Sequence, residues 1–132
     1  MKHKLLIEKR KIIISAGIKG INDTMDFKFI LDTGSSKTII DERVAIWLGF
    51  DLKKLKKGDR LMTAGGGIHS KILILPKLSL FGIDLIDFEV NVLNLPPQIM
   101  YFVDGLIGMD FLMQLKSIKF DFDEKTIETK GI

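Results

Sequence analysis

The sequence predicts a mainly β fold, and three observations support this. Short apolar segments recur along the 132 residues, separated by Gly, Asp, Asn and Pro, which favour turns. In DFEVNVLNL, Phe88, Val90 and Val92 alternate with polar residues including Asn91, the period-2 pattern of a strand with one face on a core. Hydrophobic residues make up 46% and charged residues 28% of the chain, as in ordinary globular proteins. We therefore expect one β-rich domain over residues 1–132.

The N-terminal part of the chain predicts the first strands. They are the segments LLIEKRKIIISAGIKG and MDFKFIL, interrupted by Gly17, Gly20 and the turn at Asn22 and Asp23. The later segment KKLKKGDR is a run of charge, which favours a solvated loop over a strand or a binding surface.

Two hairpins are predicted further along. RLMTAGGGIHSKILIL has two apolar arms around residues 64–67, and its glycines permit positive φ and a flexible tip. SIKFDFDEKTIETK predicts a closing hairpin in which Ile118, Phe120 and Phe122 share one face.

Two short helices complete the prediction. DERVAIWLGF begins with acidic residues, which suit a helix N-terminus, and ends at Gly49, which suits a C-terminal cap. We expect Trp47, in this helix, to lie in the core. GMDFLMQL places Met109, Leu112 and Met113 at helical spacing.

Composition argues against several classes of function. The net charge of +3 is mild and the basic residues are scattered among acidic ones, which gives little support to nucleic-acid binding. No apolar segment approaches the roughly 20 residues of a membrane span, and the first apolar stretch is cut by charged residues at 8–11. We expect a soluble, cytoplasmic protein.

Metal and thiol chemistry also find little support. There are no cysteines, so thiolate ligands and a Cys nucleophile are excluded. The histidines are His3 and His69, and a zinc site would need carboxylates from scattered positions. We expect no metal, and we expect His69 to be a solvated residue of the first hairpin.

Asp32 stands at an unusual place in FILDTGSSKTII, residues 29–40. An apolar segment ends on this acid, and Thr33, Gly34 and Ser35 follow. Asp-Thr-Gly is good turn chemistry, because Asp bonds its local backbone and Gly accepts awkward dihedral angles. A buried carboxylate is costly unless it is hydrogen-bonded, paired or protonated, so Asp32 has either a structural or a chemical purpose. The unusual later segment GLIGMDFL favours the chemical one.

Three segments together carry a family resemblance. They are LDTGSSKTII, the Gly-rich hairpin at residues 61–75, and GLIGMDFL, in which Leu106, Ile107 and Gly108 open a helix. In this order the chain resembles a retroviral-protease-like (retropepsin-like) single-domain aspartic peptidase of cellular or bacterial type. The resemblance implies a closed or partly open β-barrel with one or two short helices, a flap hairpin and a two-fold homodimer.

The chemistry of this family explains why a single D-T-G is informative. Its members activate water with two carboxylates that share one proton. Two like charges 3 to 4 Å apart repel by about 4 kcal/mol at an effective dielectric of about 20, which keeps one protonated. Asp104 and Asp110 are candidates for the second acid, although Asp110 falls on the helix after Gly108. A symmetric homodimer would instead bring Asp32 against its own copy.

The resemblance also implies a role for each motif residue. Asp32 is the catalytic acid and base, Thr33 bonds across the dimer axis, and Gly34 lets the substrate backbone approach. Ala64, Gly65, Gly66 and Gly67 form the flap tip that closes over an extended peptide. Gly108 permits close packing beside the catalytic loop. The substrate is a peptide or an unfolded protein, and no cofactor is needed.

Two departures from the retroviral pattern stand out. Ser35 replaces the usual Ala, and a hydroxyl that donates to the carboxylate favours its ionised form, so we expect an optimum on the acid side. The usual Asp–Arg ion pair is replaced by Ser36 and Met109, and the joint loss of both partners can be nearly neutral for the fold.

A non-catalytic module for peptide binding or dimerisation, built on the same fold, is the alternative. The intact Asp32-Thr33-Gly34 and the flap glycines favour the peptidase, because a pure binder has no chemical need for them.

Overall fold

Strands make up most of the computed structural model, which describes residues 1–63, 66–100 and 102–131, with the backbone alone at 59, 61–63, 66–68 and 100. The strands are β1 (Lys2–Lys4), β2 (Leu6–Glu8), β3 (Lys11–Lys19), β4 (Thr24–Leu31), β5 (Ile39–Asp41), β6 (Lys56–Thr63), β7 (Gly66–Leu80), β8 (Ile83–Leu93), β9 (Gly105–Ile107), β10 (Ser117–Asp121) and β11 (Thr126–Lys130). The helices are α1 (Glu42–Trp47), α2 (Pro97–Met100) and α3 (Met109–Leu112), with a 3-10 turn at Leu52–Lys54. The prediction of a mainly β fold is confirmed.

The large sheet closes on itself. Its strand order is β2-β3-β4-β9-β5-β8-β7-β6, and β3 also pairs with β7, where Ile18 lies opposite Leu78. The strands β3, β4, β9, β5, β8 and β7 therefore form a ring. The family resemblance implied a closed or partly open barrel. Closure leaves few strand edges with unpaired backbone groups, so the sheet offers few sites at which a strand of another chain could pair.

The main core fills this ring. Its largest fully buried side chains include Phe29, Phe111, Ile40, Leu75 and Ile107. Burying one such side chain contributes about 1.5 to 3 kcal/mol. Three of the five come from β4, β5 and β9, so the core anchors the strands that lead to Asp32.

A small second sheet packs beside the ring. Its order is β1-β11-β10, and Ile127 of β11 is fully buried in the main core. The Thr129 amide donates to the Met1 carbonyl at 2.9 Å. The chain therefore pairs its own N-terminal strand with its last hairpin.

Helix α1 begins and ends as predicted. The Asp41 carboxylate caps its first turn by accepting from the Arg43 amide at 3.0 Å, and Gly49 follows with a φ of +93°. None of the helices in the described ranges is long and apolar enough to cross a membrane.

The prediction that Trp47 lies in the core is wrong. Trp47 is 55% exposed and lies flat on Phe27, with ring centroids 6.4 Å apart. The Arg43 guanidinium lies 5.6 Å from the centroid of its ring. Trp47 thus lies on the exposed side of α1, whereas Val44 and Ala45 on its other side are buried in the main core.

Phe120 and Phe122 lie on one side of the closing hairpin as predicted, with ring centroids 6.4 Å apart, and Phe122 is exposed. Other residues depart from the predicted pattern. Asn91 is buried, and its amide donates to the Ser70 hydroxyl at 2.9 Å, which satisfies it within the core. Strand β3 continues through Gly17 instead of stopping there, and five of the eight residues of the predicted charged loop belong to β6.

Gly105 is the position in β9 where packing is tightest. A Cβ there would meet the Ile39 carbonyl and lie 2.6 Å from the ring of Phe29. We predict that Gly105→Ala lowers the free energy of unfolding by about 1 to 3 kcal/mol, because β9 must move away from β5. Urea unfolding followed by circular dichroism measures this.

Gly131→Ala is the matched control, because a Cβ there meets nothing within 4 Å. It should change stability by no more than about 0.5 kcal/mol. Equal effects of the two substitutions would contradict the packing argument.

Candidate active site

Asp32 follows directly after β4, in a segment held by two neighbouring strands. Strand β9 lies between β4, with which it is parallel, and β5, with which it is antiparallel. The Asp32 amide donates to the Ile107 carbonyl at 2.9 Å, which continues the β4–β9 pairing by one residue. The apolar residues before Asp32 are buried in the cores, so the acid lies where the strand emerges.

The turn after Asp32 is held by its own polar groups. The Gly34 amide donates to Oδ1 of Asp32 at 2.9 Å, and the Ser35 amide donates to the Asp32 carbonyl at 3.1 Å. Asp32 is half-buried, whereas Thr33 and Gly34 are exposed. The turn chemistry of Asp-Thr-Gly is therefore present, and it leaves Oδ2 of Asp32 without a hydrogen-bond partner among the described residues.

The second half of the loop docks on the start of α3. The amides of Met109 and Asp110 donate to the carbonyls of Ser35 and Ser36, at 2.8 and 3.2 Å. A Cβ at Gly108 would meet the Lys37 carbonyl and lie 2.8 Å from that of Ser35. Glycine at 108 therefore lets the loop and α3 approach each other.

Thr38 and Asp110 form a buried link that the sequence analysis missed. The Asp110 carboxylate accepts from the Thr38 amide at 2.9 Å and from the Thr38 hydroxyl at 2.7 Å. The same hydroxyl accepts from the Gly108 amide at 3.2 Å. Thr38 is 1% exposed and Asp110 is half-buried, so the two bonds to Asp110 are partly shielded from water and the Gly108 bond is buried. An acid on the first turn of a helix was the available signal, but nothing in the sequence indicated its partner.

Asp104 and Asp110, the two candidates for the second acid, accept hydrogen bonds from backbone amides, and so does Asp41. Asp104 accepts from the Lys28 amide at 3.0 Å, and Asp110 is held as above. Asp41, 1% exposed, accepts from the Leu95 amide at 2.9 Å and pairs with Arg43. These carboxylates stabilise loops and caps, and none of them lines the cleft that contains Asp32.

The predicted contact between the Ser35 hydroxyl and the carboxylate is wrong for the described chain. The hydroxyl donates instead to the Lys37 carbonyl at 2.7 Å. A hydroxyl has one proton to donate, so the Ser35 hydroxyl bonds within the loop and not to the Asp32 carboxylate. The pH optimum on the acid side was expected from this contact, so the structure gives no support to that expectation.

The predicted Gly-rich hairpin is formed by β6 and β7. Thr63 lies opposite Gly66, and Met62 lies opposite Gly67. Ala64 and Gly65, the other residues of the predicted flap tip, lie outside the described residues. His69, on β7, is exposed as expected.

A cleft of about 330 Å³ opens beside Asp32. Its apolar lining comes mainly from Ile12, Ile30, Leu31 and Leu106, on strands β3, β4 and β9. A carboxylate at the edge of an apolar cleft can act on a group that the cleft holds.

Neither histidine is part of this cleft. His3 packs on Phe81, with ring centroids 4.9 Å apart. The pKa of His3 is lowered mainly by burial and to a smaller extent by the positive charge of the N-terminus. No group of three His, Asp or Glu side chains in the described parts of the chain could hold a metal ion.

These features agree with a comparison of the sequence with family models. The model of the family described as aspartyl protease matches residues 18–111. The matched range contains both β4 with the D-T-G turn and β9 with Gly108. The chain therefore belongs to the aspartyl protease family. A search of curated proteins found no match.

Solved structures show the same fold. A retropepsin-like aspartic protease from Rickettsia conorii has a TM-score of 0.74 at 23% identity, covering 98% of this chain and 89% of that one. EIAV protease, complexed with the inhibitor HBY-793, has a TM-score of 0.63 at 14% identity, covering 80% and 88%. The retroviral protease-like domain of Ddi1 from Leishmania major has a TM-score of 0.59 at 18% identity, covering 92% and 90%. The fold is retropepsin-like.

We predict that Thr38→Val destabilises the protein by about 1 to 3 kcal/mol. Valine has nearly the same shape but leaves the Gly108 amide without its acceptor and one carboxylate bond of Asp110 unmade. Urea unfolding measures the effect.

Thr24→Val, at the exposed start of β4, is the matched control and should be close to neutral. A Thr38→Val protein as stable as the wild type would contradict a structural role for the buried link.

Proposed function

We propose that the protein is an aspartic endopeptidase that acts as a homodimer, with one retropepsin-like domain per chain over residues 1–132. Peptide bonds of peptides or unfolded proteins are its substrates. Asp32 is the catalytic acid and base, and the second carboxylate is Asp32 of a second copy.

The observation that carries this proposal is that Asp32 is the one acidic residue, among those described, that lines the cleft. Asp32 lies at its edge with Oδ2 unbonded among the described residues, next to the exposed Thr33 and Gly34. Asp104 and Asp110 are bonded to backbone amides elsewhere. A two-fold axis beside the turn supplies the missing acid without any further residue type.

The chemistry requires one carboxylate ionised and one protonated. The ionised group accepts a proton from water while the water oxygen attacks the scissile carbonyl carbon, and the protonated group donates to the carbonyl oxygen. The result is a neutral gem-diol. The group that gained a proton then donates it to the amide nitrogen, and the other recovers a proton from a gem-diol hydroxyl. The C–N bond breaks, leaving an acid and an amine, and the pair returns to its starting state.

The surrounding residues have supporting roles in this proposal. Thr33, exposed at the tip of the turn, bonds across the axis to hold the two turns together. Gly34 has no side chain to keep the substrate backbone away. The tip at residues 64–67 of the β6–β7 hairpin closes over an extended peptide, which adds main-chain hydrogen bonds like a further strand.

We predict that Asp32→Asn abolishes cleavage of casein at every pH from 3 to 8, because the pair loses its base. Loss of activity should be at least about a thousandfold, since general acid–base catalysis and the positioned water fail together. Cleavage is followed on gels, and sedimentation on both proteins reports dimerisation.

Asp123→Asn is the matched control: it removes the same charge from an exposed turn and should cleave casein like the wild type. A wild-type protein that dimerises and binds peptides without cutting them would instead establish the alternative, a peptide-binding or dimerisation module. Full activity in Asp32→Asn would contradict the proposed site.

A further inference from the structure

The cleft beside Asp32 has a cationic rim. Besides its apolar lining, it is bordered by Arg10 and Lys11, the first from the β2–β3 turn and the second from the start of β3. Both side chains are exposed, and neither forms an ion pair within the described ranges. Unpaired cations at the mouth of an apolar cleft are available to a ligand.

The turn that carries Arg10 has an unusual backbone. Glu8 pairs with Lys11, so Lys9 and Arg10 form a two-residue hairpin loop, and their φ values are +49° and +62°. Such loops favour Asn-Gly, because side chains at both positions are strained. Strained residues cluster at functional sites, where the position of the side chain offsets the cost.

The two residues of this turn are directed to different places. The Lys9 ammonium lies 5.2 Å from the ring centroid of Phe102, over which it makes a cation–π contact. Lys9 does not line the cleft, whereas Arg10 does. The turn therefore presents one basic residue to the cleft and fixes the other outside it.

The charge of the cleft favours an anion. Two cations, Arg10 and Lys11, face one acid, Asp32. In the proposed dimer the two Asp32 groups share a proton, so each cleft contains even less negative charge. A carboxylate entering along the apolar wall meets a net positive rim, and a guanidinium binds a carboxylate through two parallel hydrogen bonds.

We infer that this cleft is a subsite for an acidic side chain of the peptide substrate, with Arg10 as the residue that recognises its carboxylate. The inference rests on the proposed function for the nature of the ligand. A Glu side chain fits the chemistry: its stem packs on the apolar wall and its carboxylate reaches Arg10. Arg10 is thus a specificity-determining residue, separate from the group that performs the chemistry.

Peptide binding tests this without turnover. The Asp32→Asn protein, residues 1–132, is titrated at pH 6 with fluorescein-labelled octapeptides in which one Glu moves through the central positions of an apolar sequence. A second set has Gln in place of Glu. Fluorescence anisotropy should show about tenfold tighter binding for Glu at one position, the size expected for one charge-assisted interaction. The preference should fall as the pH drops below about 4.3, where Glu becomes protonated.

Two variants in the same background assign the effect. Arg10→Gln keeps a non-glycine residue at positive φ and should reduce the Glu-to-Gln ratio to about one. Lys9→Gln removes the same charge from the same turn and should keep the ratio. Thermal unfolding of both variants verifies that the fold is retained.

The possible outcomes separate this inference from the proposed function. Equal binding of the two peptide sets, no binding of either, or a ratio that Arg10→Gln leaves intact would overturn the subsite. In the wild type, kcat/KM for the best Glu peptide and its Gln partner should show the same ratio as binding. A Glu preference in binding with no cleavage by the wild type would retain the subsite and reject the peptidase.

Discussion

The insertion of β9 between β4 and β5 is the constraint on which the site depends. Parallel pairing with β9 carries the chain to Asp32, whose amide still bonds to Ile107. Gly105 and Gly108 make the insertion possible, because a Cβ at either would meet a backbone carbonyl. The buried bonds of Thr38 then return the loop to β5. The position of Asp32 is thus determined by packing on both sides of its turn, and little of it depends on Asp32 itself.

This arrangement fixes the acid while leaving one of its oxygens open. One oxygen of Asp32 is bound by the Gly34 amide, which sets its orientation, while the other has no partner within the described chain. Asp41, Asp104 and Asp110 also accept hydrogen bonds from backbone amides, but none of them lines the cleft. In the proposed dimer, the open oxygen of Asp32 at the cleft meets a second, equivalent acid. The rim of the cleft shows a similar division of roles. Lys9 contacts the ring of Phe102, whereas Arg10 borders the cleft and can bind a ligand.

Features that depend on neighbouring residues were predicted well from the sequence. Contacts between distant segments were not. The strand at β8, the caps of α1 and the glycines near Asp32 could be predicted, because each follows from neighbouring residues. The partnership of Thr38 with Asp110 joins positions 72 apart and has no local signature. Trp47 was misplaced because α1 has apolar residues on more than one side, and apolarity alone does not reveal which side is buried. The Ser35 hydroxyl was misassigned because the Lys37 carbonyl, two residues away, competes for its proton. Arg10 was overlooked because its significance arises only when the turn at β2–β3 is brought beside Asp32.

Mixing active and inactive chains tests the central claim, that two copies of Asp32 form one site. Wild-type protein is mixed with Asp32→Asn at a fixed total concentration, subunits are allowed to exchange, and cleavage of casein is measured. If both chains must supply the acid, an equal mixture retains about one quarter of the activity, because random pairing leaves that share of wild-type dimers. Retention of about one half, in proportion to the wild-type chain, would show that each chain works alone and would contradict the shared site.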